Sequence, residues 1–311
     1  MILTDKFLSS IEQNFDAATA FYFQDEVTAR IEGYIETAYA DLNGAKLIPV
    51  KNSALPGQKF VEYLKYDTAG KPEYTVDLAT DIPYVSARAE KASFPIFTKV
   101  LGMQYSSEDE IMGNLTNRSY IEQMIKAIIR GHAQDTNDLM FNGDYRTPGW
   151  VNNINIDKSI VANGASGSPN WESKTADEMV KDLNDAITNI LDNTNNFHKV
   201  NTIALPLSQY RRLQTTRLGT GLQSTALEQF YYCNPGVTVE AANELESKFT
   251  GGVNGFIAYE KSPDNFWFEM GELYATELHK KGVMNYEMAY LKSHGGVQFI
   301  RPKSQIIKFG I

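Results

Sequence analysis

The sequence predicts an α+β fold, with helices and strands in separate runs rather than in a regular βαβ alternation. Three observations carry this. Residues 46–104 read as strands and turns. Helical periods follow under capping signals at 107–139 and 175–191. From residue 237 the chain returns to short strands between turns. The 311 residues are 42% hydrophobic and 22% charged, the balance of an ordinary globular chain rather than a disordered one. The length fits about two domains, at roughly 150 residues each.

Lys plus Arg is 29 and Asp plus Glu is 38, a net charge of −9. That balance argues against a protein that grips nucleic acid through a basic surface. A single cysteine, Cys233, excludes an internal disulfide framework. The N-terminus has no secretory pattern, because Asp5, Lys6, Ser9, Ser10 and Glu12 interrupt its apolar residues. No run approaches the ~18 apolar residues of a membrane span. The expectation is a soluble, intracellular chain with no membrane contact, and the sequons at Asn114 and Asn117 are read as chance.

Residues 1–45 open with Ile2, Phe7, Ile11, Phe15 and Ala18 near a helical period, then the cluster Phe21-Tyr22-Phe23. This is an amphipathic helix packed on its own domain, or an arm that docks on a neighbouring subunit. Leu47–Val50 reads as a short strand, and Asn52–Gly57 as turn chemistry. Phe60–Tyr66 and Tyr74–Leu78 then form the two arms of a long hairpin, joined by a loop with Gly70 and Pro72. Val61 and Tyr63 mark the apolar face of one arm, and Tyr74, Val76 and Leu78 that of the other. Such a hairpin is marginal alone, so this chain or another should cover it.

Phe94–Leu101 reads as further strand. A long helix is expected from Ser107, where Ser107 and Glu110 have capping-box spacing, with apolar positions from Ile111 to Leu139. The helix or helix pair would span about 30 residues, or ~45 Å. Asn142–Asn153 is dense in turn residues. A second capping box, Thr175 with Glu178, opens a helix whose core face is Met179, Leu183, Ala186, Ile187, Ile190 and Leu191. Val200–Leu205 is a buried strand, and Pro206 suits the first turn of the helix Leu207–Leu213. The later strands are Val237–Val239, Gly255–Tyr259, Phe266–Phe268, Val283–Tyr290, Gly296–Ile300 and Ile306–Phe309.

No catalytic or metal-binding pattern stands out. His132, His198, His279 and His294 lack zinc-ligand spacing. Glu277 and His279 would share a strand face, which reads better as a surface pair than as a catalytic one. Cys233 reads as a small buried hydrophobe. Gly219–Ser224 begins like a dinucleotide fingerprint but ends in Ser224, and Gly251–Gly255 is a turn. Gly164–Gly167 lacks serine-hydrolase spacing. Arg211, Arg212 and Arg217, and the run His279–Lys281, are short basic clusters of the solvated kind. No cofactor is expected.

The order of elements resembles the major capsid proteins of tailed phages, with the Hong Kong 97 type of fold. Gly143–Asn152 looks like the junction that follows the long helix in that family, with Trp150 where leucine is usual. Ala204–Leu213 looks like its axial strand and helix, and Glu272–Glu277 and Gly295–Pro302 look like the ending of one branch. The resemblance implies an N-terminal arm at 1–45 and an E-loop hairpin at 46–83. It implies a peripheral domain at 84–153 with 283–311 that holds the spine helix, and an axial domain at 154–282. It implies a virion shell protein made in the host cytoplasm, not an enzyme. Copies would assemble as hexamers and pentamers into an icosahedral shell around double-stranded DNA, which they would contact non-specifically. Scaffolding, portal and cement proteins are the further partners such a shell takes. Residues expected between subunits are Phe60, Val61, Tyr63, Tyr66, Tyr74, Val76 and Leu78. Ranked behind this are the shell of an encapsulin-type compartment that packages an enzyme cargo, and last an enzyme of unknown class.

Overall fold

A computed structural model of the chain describes residues 41–72, 74, 84–115, 120–219, 224–247 and 252–311. The expected arm lies outside them up to residue 40, as do Val76 and Leu78. The first half holds α1 (Gly44–Leu47), β1 (Val50–Lys51), β2 (Phe60–Ala69), β3 (Ser86–Pro95) and β4 (Phe97–Ser106). After them come α2 (Ser107–Leu115), α3 (Tyr120–Phe141) and β5 (Asp157–Ile160). The second half holds α4 (Ala176–Asn193), β6 (Thr202–Pro206), α5 (Leu207–Thr215), α6 (Ala226–Cys233), β7 (Thr238–Ala242) and β8 (Gly255–Tyr259). It ends with β9 (Phe266–Met270), β10 (Tyr274–Ala275), β11 (His279–Lys281), β12 (Asn285–Phe299) and β13 (Gln305–Phe309).

A five-stranded mixed sheet, ordered β5-β13-β8-β6-β7, joins the core together. Its side chains alternate between two apolar layers, as the period of two requires. Ile203, Leu205, Phe256, Ala258 and Ile306 meet α4, α5 and α6 through Met179, Leu183, Leu213 and Phe230. Ala204, Ile257, Tyr259 and Ile307 face the other way, onto Leu139, Phe141, Trp150 and Phe266. Both faces are covered at β6 and β8, which are buried throughout and read as near-continuous hydrophobic runs. Residues 42–311 accordingly form one compact unit.

The second sheet is built on the long strand β12. On one edge β4 pairs with it antiparallel, from Asn285↔Ser106 to His294↔Phe97. On the other edge run β9, β10 and β11. The helix α3, about 33 Å long at 1.5 Å per residue, lies on one face of this sheet. Ile121, Met124, Ile125 and Ile128 pack there against Met103, Tyr105, Met288 and Tyr290. The turn after α3 depends on two glycines. Gly143 has φ +68°, and a Cβ on either Gly143 or Gly149 would collide with the backbone nitrogen of the other. That closure drops Trp150 into the core, fully buried, where its Nε1 donates to Gln305 Oε1 at 2.6 Å.

The α+β class and the order of helices hold, with local corrections. Leu47 ends a helical turn, and the strand after it is only Val50–Lys51. The first capping pair is Ser106 with Asp109, one residue before the expected pair: Ser106 N–H and Oγ both donate to Asp109 Oδ2. Pro206 precedes α5 as its cap rather than sitting in its first turn. The two late strands expected at 283–290 and 296–300 are one strand, bulged between His294 and Gly296. Gly282 lies in the turn between β11 and β12, which pair with each other, and β13 lies in the five-stranded sheet.

Candidate assembly interface

The hairpin β2–β3 is the feature that the rest of the fold does not explain. Ten rungs join it, from Phe60↔Pro95 to Ala69↔Ser86, and among the described residues these strands pair only with each other. At ~3.4 Å per residue it is about 34 Å long. The sequence reading placed the second arm at Tyr74–Leu78. The structure places it at Ser86–Pro95, and Tyr74 lies in no strand. Residues 86–93 are Ser-Ala-Arg-Ala-Glu-Lys-Ala-Ser, with no β-branched or aromatic side chain. Their strand is imposed by pairing with β2, not by local propensity.

The root of the hairpin is clamped to β9. Val61 and Tyr63 turn inward and pack with Phe94, Ala54, Ile96 and Trp267. The Tyr63 ring meets that of Trp267 edge-on at 6.0 Å and that of Phe94 at 6.2 Å. Burial, then Glu90, pushes the Tyr63 phenol above its ordinary range. Glu269, 1% exposed, takes hydrogen bonds from Ser53 N–H at 2.9 Å, Ser53 Oγ at 2.6 Å and Trp267 Nε1 at 2.9 Å. Lys51 Nζ sits 3.6 Å above the Trp267 ring. The Ala54 carbonyl occupies the space a Cβ on Gly271 would need.

Beyond Tyr63 the ribbon is bare. Leu64–Ala69 and Ser86–Lys91 are exposed on both faces. Of the expected contact residues, Phe60 and Tyr66 lie on the outer face with Leu64, at 62%, 70% and 51% exposure. Tyr74 is fully exposed and Tyr84 nearly so. Val61 and Tyr63 instead face their own chain. Sequence reasoning missed Leu64, Trp267 and Glu269, because the face a strand buries is decided by partners far along the chain.

The other candidates are less coherent. Glu277 and His279 line an open cleft of about 460 Å³ with Thr276, Gln104 and Glu287, whose carboxylate binds Lys281 Nζ at 2.7 Å. Cys233 is exposed, which corrects the buried reading: it ends α6, with its Sγ 3.6 Å from Gln229 Nε2. His132 is buried in α3 with Nε2 3.2 Å from the Tyr290 carbonyl, and His198 Nδ1 lies 2.5 Å from Glu260 Oε2. Among the described residues no three His, Cys, Asp or Glu side chains are grouped to hold a metal, and no helix is long and apolar enough to cross a membrane.

The fold has many solved counterparts. The capsid of Myoviridae phage XM1 superposes with TM-score 0.76 at 17% identity, covering 92% of this chain and 98% of that one. A capsid structure of cyanophage P-SCSP1u gives 0.56 at 14% identity, over 92% and 93%. The capsid of an empty GTA particle gives 0.59 at 10%, over 94% and 97%. No curated protein matches the sequence. These likenesses establish the Hong Kong 97-like fold. A family model described as major capsid protein matches residues 70–310, well over half of the chain. A bare clamped ribbon, a long helix on a bulged sheet and a two-faced core thus meet in a chain that belongs to the major capsid protein family.

Proposed function

We propose that copies of this shell protein assemble as hexamers and pentamers into an icosahedral capsid around double-stranded DNA, and that the hairpin β2–β3 is the arm with which each copy holds its neighbour. One observation carries the role of the hairpin. Its outer six rungs are exposed on both faces, yet they present Leu64 and Tyr66, with Tyr74 and Tyr84 toward the tip. Two strands alone are marginal in water, and a neighbour that covers them supplies the missing apolar contact. Such a contact is heterologous, the kind that closes into rings. Phe60, Leu64 and Tyr66 form the docking face, and aromatic anchors of this kind dominate interface energetics. Val61 and Tyr63 hold the arm in place rather than touch the neighbour.

The net charge of −9 fits a genome held without tight binding. Subunits would be made in the host cytoplasm, with scaffolding, portal and cement proteins as further partners. The cargo-compartment reading is not favoured, since the matching family is that of major capsid proteins.

The test is a double variant, Leu64→Asp with Tyr66→Asp, compared with wild type by size exclusion and negative-stain electron microscopy. Wild type should give rings, tubes or closed shells. The variant should remain a folded, unassembled subunit. Normal particles from the variant would remove the arm assignment. A wild type that never assembles, even crowded or at high salt, would count against self-assembly.

A further inference from the structure

The interface between α3 and its sheet changes character along its length. At one end it is apolar, with Tyr105 beside Tyr286 and Met103 beside Met288. At the other end Lys99 stands opposite Lys292, and Phe97 opposite His294. His294 occupies the rung where β12 leaves β4 and continues with β9 alone, since it pairs with both Phe97 and Met270. The bulge follows at once, with Gly296 at φ +74° against Thr147 of the turn after α3. Three pieces of backbone therefore meet around one imidazole.

That imidazole is 4% exposed, and neither Nδ1 nor Nε2 has a hydrogen-bond partner among the described residues. Buried polar groups are ordinarily satisfied, so an orphan of this kind marks a site with another role. The charged groups around it are Lys99 from β4, Asp135 from α3, Asp144 and Arg146 from the turn after α3, and Lys292 two residues back on β12. Both carboxylates already have partners of their own. Asp135 holds Lys99 Nζ at 2.7 Å. Asp144 accepts from Arg146 N–H, Thr147 N–H and Thr147 Oγ1. A protonated His294 would be a fourth cation beside two engaged carboxylates, in a place without water-like solvation.

We propose that His294 is an acid-operated release for the seam between α3, the β4–β12 sheet and the 142–149 turn. The neutral ring fits as an apolar plate beside Phe97, 6.2 Å between centroids. The protonated ring does not fit, so proton uptake opens the seam. The linkage runs in one direction. Burial first, then Lys99, holds the ring below its ordinary value of 6.5. The opened form binds the proton more readily, so it gains as pH falls below about 6.5 and stops gaining below the lowered value of the closed form. The inference rests on intramolecular packing alone and does not depend on the shell assignment.

The test compares the full-length wild-type subunit with His294→Phe, which keeps a flat ring but cannot titrate, and with His294→Leu. Unfolding midpoints and hydrogen exchange of the segments 97–106 and 285–299, corrected for intrinsic rate, are read from pH 7.5 to 5.0. Wild type should lose protection relative to the variants, with the opening constant rising up to about tenfold per pH unit within that window. Identical pH profiles would overturn the proposal. Should neither variant fold, histidine-selective nitrogen-15 spectra of the wild type decide. A His294 ring still neutral at pH 6 supports it, and one that titrates at the ordinary value sinks it.

Discussion

Glu269 accepts both the backbone N–H and the hydroxyl of Ser53, at 2.9 and 2.6 Å, across 216 positions of sequence. This contact fixes the direction in which the chain leaves β1 and enters the hairpin. The other oxygen of the same carboxylate takes Trp267 Nε1, and the Trp267 ring is the floor under Tyr63. One buried side chain thus sets both the approach and the footing of the arm. Glu269→Ala strands three donors and should cost about 3 kcal/mol, read as a lower urea midpoint. Glu269→Gln keeps two acceptor positions of the amide oxygen and should cost less. Equal stability of wild type and Glu269→Ala would show that the clamp is incidental.

Tyr63 and Tyr66 lie three residues apart on β2 and should behave oppositely. Tyr63→Ala removes a ring packed on Trp267 and Phe94 and should cost about 2 kcal/mol. Tyr66→Ala, at a bare position, should stay within about 0.5 kcal/mol of wild type while weakening assembly. Thermal unfolding of the unassembled subunits separates the two. A stability loss at Tyr66 equal to that at Tyr63 would mean the outer rungs are covered by their own chain.

A buried ion pair holds the loop before α4. Lys174 Nζ lies 2.6 Å from Asp182 Oδ2, with side chains 1% and 4% exposed, and Trp171 Nε1 donates to the same oxygen. Lys174→Met leaves a carboxylate buried without its cation and should cost about 3–5 kcal/mol. Lys174→Met with Asp182→Leu should recover most of that loss. Denaturant midpoints of the two single variants and the double decide it. A double variant as weak as the singles would contradict this account.

Part of the acid sensitivity at low pH should trace to Glu244. Burial pushes its carboxyl up, but hydrogen bonds from Asn43 N–H, Asn43 Nδ2 and Asn137 Nδ2 outweigh that and hold it below its ordinary 4.5. A lowered folded value means stability that is present above about pH 4.5 and lost as pH falls through the lower folded value. Glu244→Gln should flatten that part of the wild-type stability profile. Parallel profiles for the two chains below pH 4.5 would assign the loss elsewhere.

Much of this architecture was legible in sequence because its signals are local. The helix 176–193 announces itself through Thr175, Glu178 and a clean apolar period, and the capping box is present as read. The second arm of the hairpin was not legible. Tyr74–Leu78 has the better strand composition, while Ser86–Pro95 is recruited by a register set against β2. The candidate interface was half legible for the same reason. Alternation located the two faces of β2, but which face is buried depends on Trp267, and nothing near residue 63 reports its position. Glu269 reads as an ordinary surface carboxylate until Ser53 is folded against it.

The bare ribbon also poses a hazard to every subunit that has not yet found its place. Among the described residues β2 and β3 pair only with each other, so each offers an open edge on which a foreign strand could grow. The charges along the ribbon guard against this. Lys65 faces Glu90 and Asp67 faces Arg88 across the rungs, and Lys91 Nζ reaches Glu62 at 3.3 Å. In its own register the two rungs that set charge against charge are attractive, and charged side chains along both strands are a known guard against edge-to-edge pairing. The ribbon thus keeps an apolar outer face at Phe60, Leu64 and Tyr66 while its charges guard its two open edges.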